Sequence, residues 1–161
     1  MMATGKSSED FHLIRPYEKN DLEDLLDTWH AASQVAHPFL SEEFFDIERH
    51  NIPRIYLPMA DTFVYESGGR VVGFIALIKN EVGAIFVHPE FHGRGFGRAL
   101  MDHARVLRGD LEVEVFKENR IGREFYRRYG FTFHEEHVHE ETGERLLRLV
   151  YSEDSANTPR P

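Results

Sequence analysis

The stretch HGRGFGRALMDHARVL, His92 to Leu107, sets glycines at 93, 95 and 97 directly before a run with helical periodicity. Glycine reaches positive φ and lets the backbone approach a ligand that a Cβ would hold off. A helix N-terminus adds unpaired N–H groups and the positive end of the helix dipole. With AIFV ending at Val87 as a strand, this predicts a strand, a glycine turn and a helix that together cradle a phosphate or pyrophosphate. The Walker pattern, a glycine, four residues and then Gly-Lys-Ser/Thr, does not occur, which argues against nucleotide triphosphate hydrolysis. A dinucleotide fingerprint fits Gly93, Gly95 and the acids Glu112 and Glu114. It fails at position 98, which is Arg, and only 47 residues follow Glu114, too few for the second half of a doubly wound domain.

The surrounding pattern places that unit in an α+β domain. FHLIRPY from Phe11 reads as a strand, and NDLEDLLDTWHAAS as a helix with Asn20 and Glu23 as capping pair. SEEFFDIERHN reads as a second helix capped by Ser41 and limited by Pro53. TFVYES, RVVGFIALI and EVGAIFV form three antiparallel strands around Gly68-Gly69 and Lys79-Asn80. The glycine-led helix turns Phe96, Leu100, Ala104 and Leu107 inward. LEVEVF alternates, with Leu111, Val113 and Val115 on one face and Glu112 and Glu114 on the other. NRIGREFYRRYG is a helix capped by Asn119 and closed by Gly130, and FTFHEEHVHE with RLLRLVY makes a last hairpin. The expectation is a mixed, mostly antiparallel sheet of about seven strands with about four helices. One domain spans residues 11–151, with disordered tails at 1–10 and 152–161.

Composition narrows the chemistry. The 161 residues include no cysteine, so disulfides, thiolate catalysis and sulfur-held zinc are excluded. A net charge of −9 argues against nucleic-acid partners and suits cationic ligands. No apolar run reaches the ~20 residues that span a bilayer, and MMATGKSSED lacks a signal-like core, so a cytoplasmic protein without a membrane partner is expected.

HGRGFGRAL after IFVHPEF resembles motif A of the GCN5-related N-acetyltransferase superfamily, Gln/Arg-x-x-Gly-x-Gly/Ala. NRIGREFYRRYGF, beginning 22 residues after Gly97, resembles the motif that follows it in the same family. The resemblance covers essentially the whole domain, and TWHAASQVAHPFLSEEF is most similar to small bacterial YjaB-type members. His92 departs from it, standing where the family has Gln or Arg. The resemblance implies acetyl-CoA as acyl donor, with its pyrophosphate wrapped by the backbone amides of His92, Gly93, Arg94, Gly95, Phe96, Gly97 and Arg98. It implies that Ile85, Phe86 and Val87 lend backbone groups to the pantetheine arm and thioester, and that Asn119 and Tyr126 face the coenzyme. Tyr126 is then the acid for the leaving thiolate, since a phenol with a pKa of ~10 is protonated at neutral pH.

The expected base is Glu114, on the polar face of its strand, with Glu112 and His88 as further acceptors. His37 and Phe39 are the acceptor-pocket residues. The histidines His134, His137 and His139 with Glu136 read as an exposed polar edge rather than a zinc site, and no metal is expected. The function implied is direct acetyl transfer to a small-molecule amine, a peptide N-terminus or a lysine, by a monomer or homodimer. The alternative is a non-catalytic CoA-binding sensor or interaction domain on the same fold.

Overall fold

The alternating and continuous apolar runs in the middle of the chain assemble the sheet on which everything else is mounted. The computed structural model of the protein describes residues 12–156. Seven strands lie in the order β1-β2-β3-β4-β5-β7-β6. They are β1 (His12–Pro16), β2 (Asp61–Ser67), β3 (Arg70–Ile78), β4 (Glu81–Val87), β5 (Leu111–Phe116), β6 (Thr132–Val138) and β7 (Arg145–Tyr151). β3 is buried along almost its whole length, as a central strand covered on both faces requires. All pairings are antiparallel except β4 with β5.

Helices cover both faces. α1 (Leu22–Ala36) and α2 (Glu42–Asn51) close one face, where Leu25, Trp29, Phe45, Ile52, Val64, Val71 and Phe74 form a core. α4 (Phe96–Arg108) and α5 (Arg120–Tyr129) close the other, over Val72, Ile75, Leu100, Met101, Val113, Val115 and Leu147. Phe96, Leu100 and Ala104 are buried as expected, but Leu107 in the last turn of α4 is largely exposed and Met101 takes its share of the core. Truncating a fully buried Leu100 to Ala would cost ~2–5 kcal/mol through lost burial and the cavity left behind.

Two local expectations are corrected. The capping box before α1 is formed by Glu18 and Asp21, around a 3-10 turn at Lys19–Asp21, and not by Asn20 and Glu23. Arg15 explains this: it grips the Asp21 carboxylate with two hydrogen bonds of 2.8 and 2.9 Å, leaving that carboxylate to accept the Glu18 amide at 2.8 Å. Ser41 does cap α2, accepting from the Phe44 amide, but Pro53 does not end the helical run. The chain widens into a π turn at Ile52–Tyr56, in which the Leu57 amide donates to the Ile52 carbonyl, and continues as α3 (Leu57–Met59). A proline cannot donate into an α-helical ladder, and the wider turn absorbs that loss.

The expected tail at 1–10 lies outside the described residues. Within the expected tail at 152–161, Glu153–Ala156 forms a short helix, α6, with the Glu153 amide donating to Asp110 and Arg105 pairing with Glu153. Among the described residues no helix is long and apolar enough to cross a membrane.

The Arg15–Asp21 pair holds the Asp21 carboxyl below the usual carboxylate range. A depressed folded pKa stabilises the fold above the unfolded value and loses that contribution as pH falls through the folded one. Asp21→Ala is therefore expected to lower stability by ~2 kcal/mol at neutral pH. The deficit in thermal melts should shrink below about pH 4, where the unfolded carboxyl protonates.

Candidate active site

The cradle and the sheet meet where β4 and β5 part. These strands pair only at Glu81 with Glu112 and at Val82 with Val113, and beyond that they diverge. The edge of Gly83–Val87 facing β5 is left without a strand partner, while its other edge stays paired to β3. Ile85 and Val87 pack into one core and Phe86 into the other, so their side chains serve packing and their backbone is what the gap offers.

At the end of β4 the turn presents its amides. The N–H groups of Gly93, Arg94, Gly95, Phe96, Gly97 and Arg98 have no acceptor among the described residues, and α4 has no side-chain cap. Six consecutive unpaired donors at a helix start are what backbone alone can offer an anion. Gly93 and Gly95 hold φ of +78° and +83° with open space where a Cβ would stand, so the turn needs their conformational freedom. Gly97 is there for another reason: a Cβ on it would come within 3.1 Å of the Phe125 ring, so it sets how closely α4 packs on α5. Phe96 buries its ring against Tyr65, centroids 4.1 Å apart. Arg94 and Arg98 are exposed, with the Arg94 guanidinium 5.0 Å from the centre of the Phe91 ring.

His92 is placed differently from its neighbours. Its amide donates to the Pro89 carbonyl, and its Nε2 lies 2.8 Å from the Val87 carbonyl oxygen, so both groups tie the turn to the end of β4. His88, expected among the bases, accepts the Glu90 amide through Nδ1 and caps a 3-10 turn.

A cavity of about 550 Å³ runs from the strand gap to the α1–α2 side. Tyr126 and Asn119 of the α5 segment, His37 at the end of α1, and Ile85, Phe86 and Glu114 from the strands all line it. Tyr126 is buried, its hydroxyl has no hydrogen-bond partner among the described residues, and burial raises its pKa well above the ordinary phenol value. It stays protonated at any physiological pH and faces the cavity with a free donor. Tyr129, one turn on, donates to Asp102 at 2.6 Å and packs among aromatic rings.

Asn119 does two jobs. Its Oδ1 accepts the Gly122 amide at 2.8 Å as the helix cap, which leaves Nδ2 to donate to His37 Nε2 at 3.2 Å. That orientation requires an unprotonated Nε2, so the neutral His37 ring carries its proton on Nδ1. Burial among Phe39, Phe86 and Phe116 lowers the His37 pKa to about 4, so the ring is neutral at pH 7. Gly122 escaped the sequence reading. A Cβ there would stand 2.5 Å from Asn119 Nδ2, so glycine is what lets the cap adopt this pose. A glycine inside a helix costs about 1 kcal/mol, and that was the available signal.

Glu114 lines the cavity but is not free. Arg148 donates to it at 3.2 Å and to Glu112 at 3.3 Å, and His137 Nε2 lies 2.9 Å from its other oxygen. His137 and His139 thus have separate partners, His139 lying 2.8 Å from the Thr142 hydroxyl. Among the described residues no group of three metal-ligating side chains converges.

Residues 58–133 match the acetyltransferase (GNAT) domain family. The peptidyl-lysine N-acetyltransferase YiaC of Escherichia coli is 30% identical over 123 residues, covering 74% of this chain and 82% of that relative. The peptidyl-lysine N-acetyltransferase YjaB of the same organism is 31% identical over 119 residues, 73% of this chain and 80% of that one. The solution structure of apo YjaB from E. coli superposes with a TM-score of 0.77 at 29% identity, covering 88% of this chain and 97% of the other. The chain belongs to the GCN5-related N-acetyltransferase family, whose members are acetyl-CoA-dependent acyltransferases.

The neutral His37 gives a measurable signature. Its depressed pKa means the unfolded chain binds the extra proton between about pH 6.5 and 4, so stability falls with acidification across that window. The contribution amounts to roughly 3 kcal/mol over the window. Denaturant unfolding as a function of pH should show this slope, and His37→Gln should remove most of it.

Proposed function

We propose that this cleft transfers the acetyl group of acetyl-CoA directly to the side-chain amine of a peptidyl lysine. The observation that carries the reading is the continuity of the site. Six unpartnered amides follow β4, whose own edge is unpaired from Gly83 to Val87, and Ile85 and Phe86 of that edge line a cavity with aromatic walls together with the protonated, unpartnered Tyr126. The lysine acceptor rests on the names of the YiaC and YjaB relatives, and the aromatic and aliphatic part of the cavity wall suits the alkyl stem of such a side chain.

In this reading Gly93 to Arg98 hold the pyrophosphate with their amides. The open edge of β4 receives the pantetheine arm, and a free N–H there polarises the thioester carbonyl. Glu114 takes the proton that the ammonium must lose, directly or through water. The amine nitrogen then forms its bond to the carbonyl carbon, and the carbon–sulfur bond breaks as the tetrahedral intermediate collapses.

Tyr126 serves the leaving sulfur of the thioester as a hydrogen-bond donor. A phenol raised above ~10 does not surrender its proton outright to a thiolate near ~8.5. Tyr126 therefore donates a hydrogen bond to the developing thiolate, and its proton moves only as it collects one from the attacking nitrogen. Atoms and charge then balance as amide, free thiol and one proton on Glu114. His37 stands in the pocket wall on the acceptor side, uncharged so that it does not repel a cation, while Phe39, expected beside it, packs on the His37 ring without lining the cavity.

Tyr126→Phe keeps the ring and the packing and removes the donor. Turnover of acetyl-CoA with a lysine peptide, read as CoA release, is expected to fall ~10²-fold while acetyl-CoA still raises the melting temperature. Equal release by Tyr126→Phe and the parent protein would remove the catalytic assignment and favour a binding domain. Glu114→Gln is expected to lower kcat by a similar factor while acetyl-CoA still raises the melting temperature. Gly95→Ala places a side chain at φ +83°, and should cost ~1–2 kcal/mol of stability and weaken acetyl-CoA binding.

A further inference from the structure

The outer part of the same cavity carries charge that acetyl transfer to a simple amine does not use. Four carboxylates line it: Glu48 on α2, Glu81 on β4, Glu114 on β5 and Glu141 in the β6–β7 turn. Glu81 and Glu114 share Arg148. Glu48 and Glu141 have no Lys or Arg within salt-bridge distance among the described residues. The basic side chains nearest in sequence are engaged elsewhere: Arg49 lies over the Trp29 ring and Arg54 donates to the His50 carbonyl.

Glu48 is only partly exposed, its carboxylate accepts the Tyr56 hydroxyl at 3.2 Å, and His139 on the facing turn is the nearest group of opposite tendency. Burial and the neighbouring Glu141 push its carboxyl above the usual range, which is the mark of a negative charge short of a counter-charge. A second observation is independent of these acids. Ser33 on α1 lines the cavity, is 1% exposed, and its hydroxyl has no hydrogen-bond partner. A buried hydroxyl left unpaired costs free energy unless a ligand satisfies it. Trp29, Phe45, Ile52 and Phe74 add apolar wall to the same cavity.

We propose that this cavity holds a subsite for a second positive charge on the acceptor, with Glu48 and Glu141 as its counter-charges and Ser33 as a hydrogen-bonding partner of the chain between. The inference rests on the acetyltransferase reading above and goes beyond it by naming the acceptor class: a lysine with a basic residue next to it. The reacting amine lies at Tyr126, an apolar stem passes the aromatic wall, and the neighbouring ammonium or guanidinium reaches the mouth. Selectivity of this kind comes from the acids that would stay unpaired when a singly charged acceptor binds.

The test compares two N-acetylated, C-amidated peptides of equal length, Ala-Lys-Ala and Arg-Lys-Ala, with CoA release as readout. The parent protein is expected to favour the doubly charged peptide about tenfold or more in kcat/KM, chiefly through KM. Glu48→Gln, an isostere that keeps a partner for Tyr56, should bring the two peptides to within about twofold of each other. Glu141→Gln, in an exposed turn, is a second variant that should reduce the preference without depending on the packing of α2. Equal kcat/KM for both peptides on the parent protein, or a preference that survives in the Glu48→Gln/Glu141→Gln double variant, overturns the subsite. Absence of CoA release from either peptide and from simple alkyl amines overturns instead the acetyltransferase reading on which the subsite stands.

Discussion

The parting of β4 and β5 is the constraint on which the rest of the molecule depends. A parallel pair that stops after Val82 and Val113 leaves backbone donors and acceptors without partners in the middle of a sheet, a position where such groups are costly. In the proposed reading an extended ligand lies in the wedge and supplies the missing partners. The same divergence opens the cavity between the two cores, sets α4 and α5 against each other across Gly97, and brings Tyr126 to the apex. Closing the gap would restore the ladder and leave no site.

The site joins parts of the chain that no local pattern connects. The hydrogen bond between Asn119 and His37 spans 82 positions and fixes a helix cap, a tautomer and one wall of the pocket at once. Arg148, midway along β7, gathers Glu81, Glu112 and Glu114 and so decides which carboxylates in the cleft are compensated. Neutrality at His37 and unbalanced charge at Glu48 follow from burial, which depends on the packed structure.

What could be read beforehand and what could not divides along the same line. The glycine turn, the alternation of Leu111 to Phe116 and the Asn119 and Gly130 ends of α5 were legible, because each depends on φ, on strand period or on a cap within a few residues. The Glu18–Asp21 box was missed because Arg15, on another element, decides which acid faces the amide. Pro53 was read as a stop by a rule that ignores wider turns, and His92 was grouped with the cradle although Pro89 and Val87 claim its polar groups. Ser33, Glu48 and Gly122 carried no periodic signal at all, and their roles emerge only from what stands beside them.

The two outer strands of the sheet bear on how the protein behaves at high concentration. β1 is five residues long and ends in Pro16, which has no amide to offer a neighbouring chain. β6, at the other margin, is kinked by an irregularity between Phe133 and Glu135 and carries His134, Glu135, Glu136 and His137. Charged and bent margins of this kind oppose the addition of foreign strands. A sheet that parts at its centre is thus kept from growing at its rims, and the unpaired edge of Gly83–Val87 lies inside the fold, away from chance pairing with another chain.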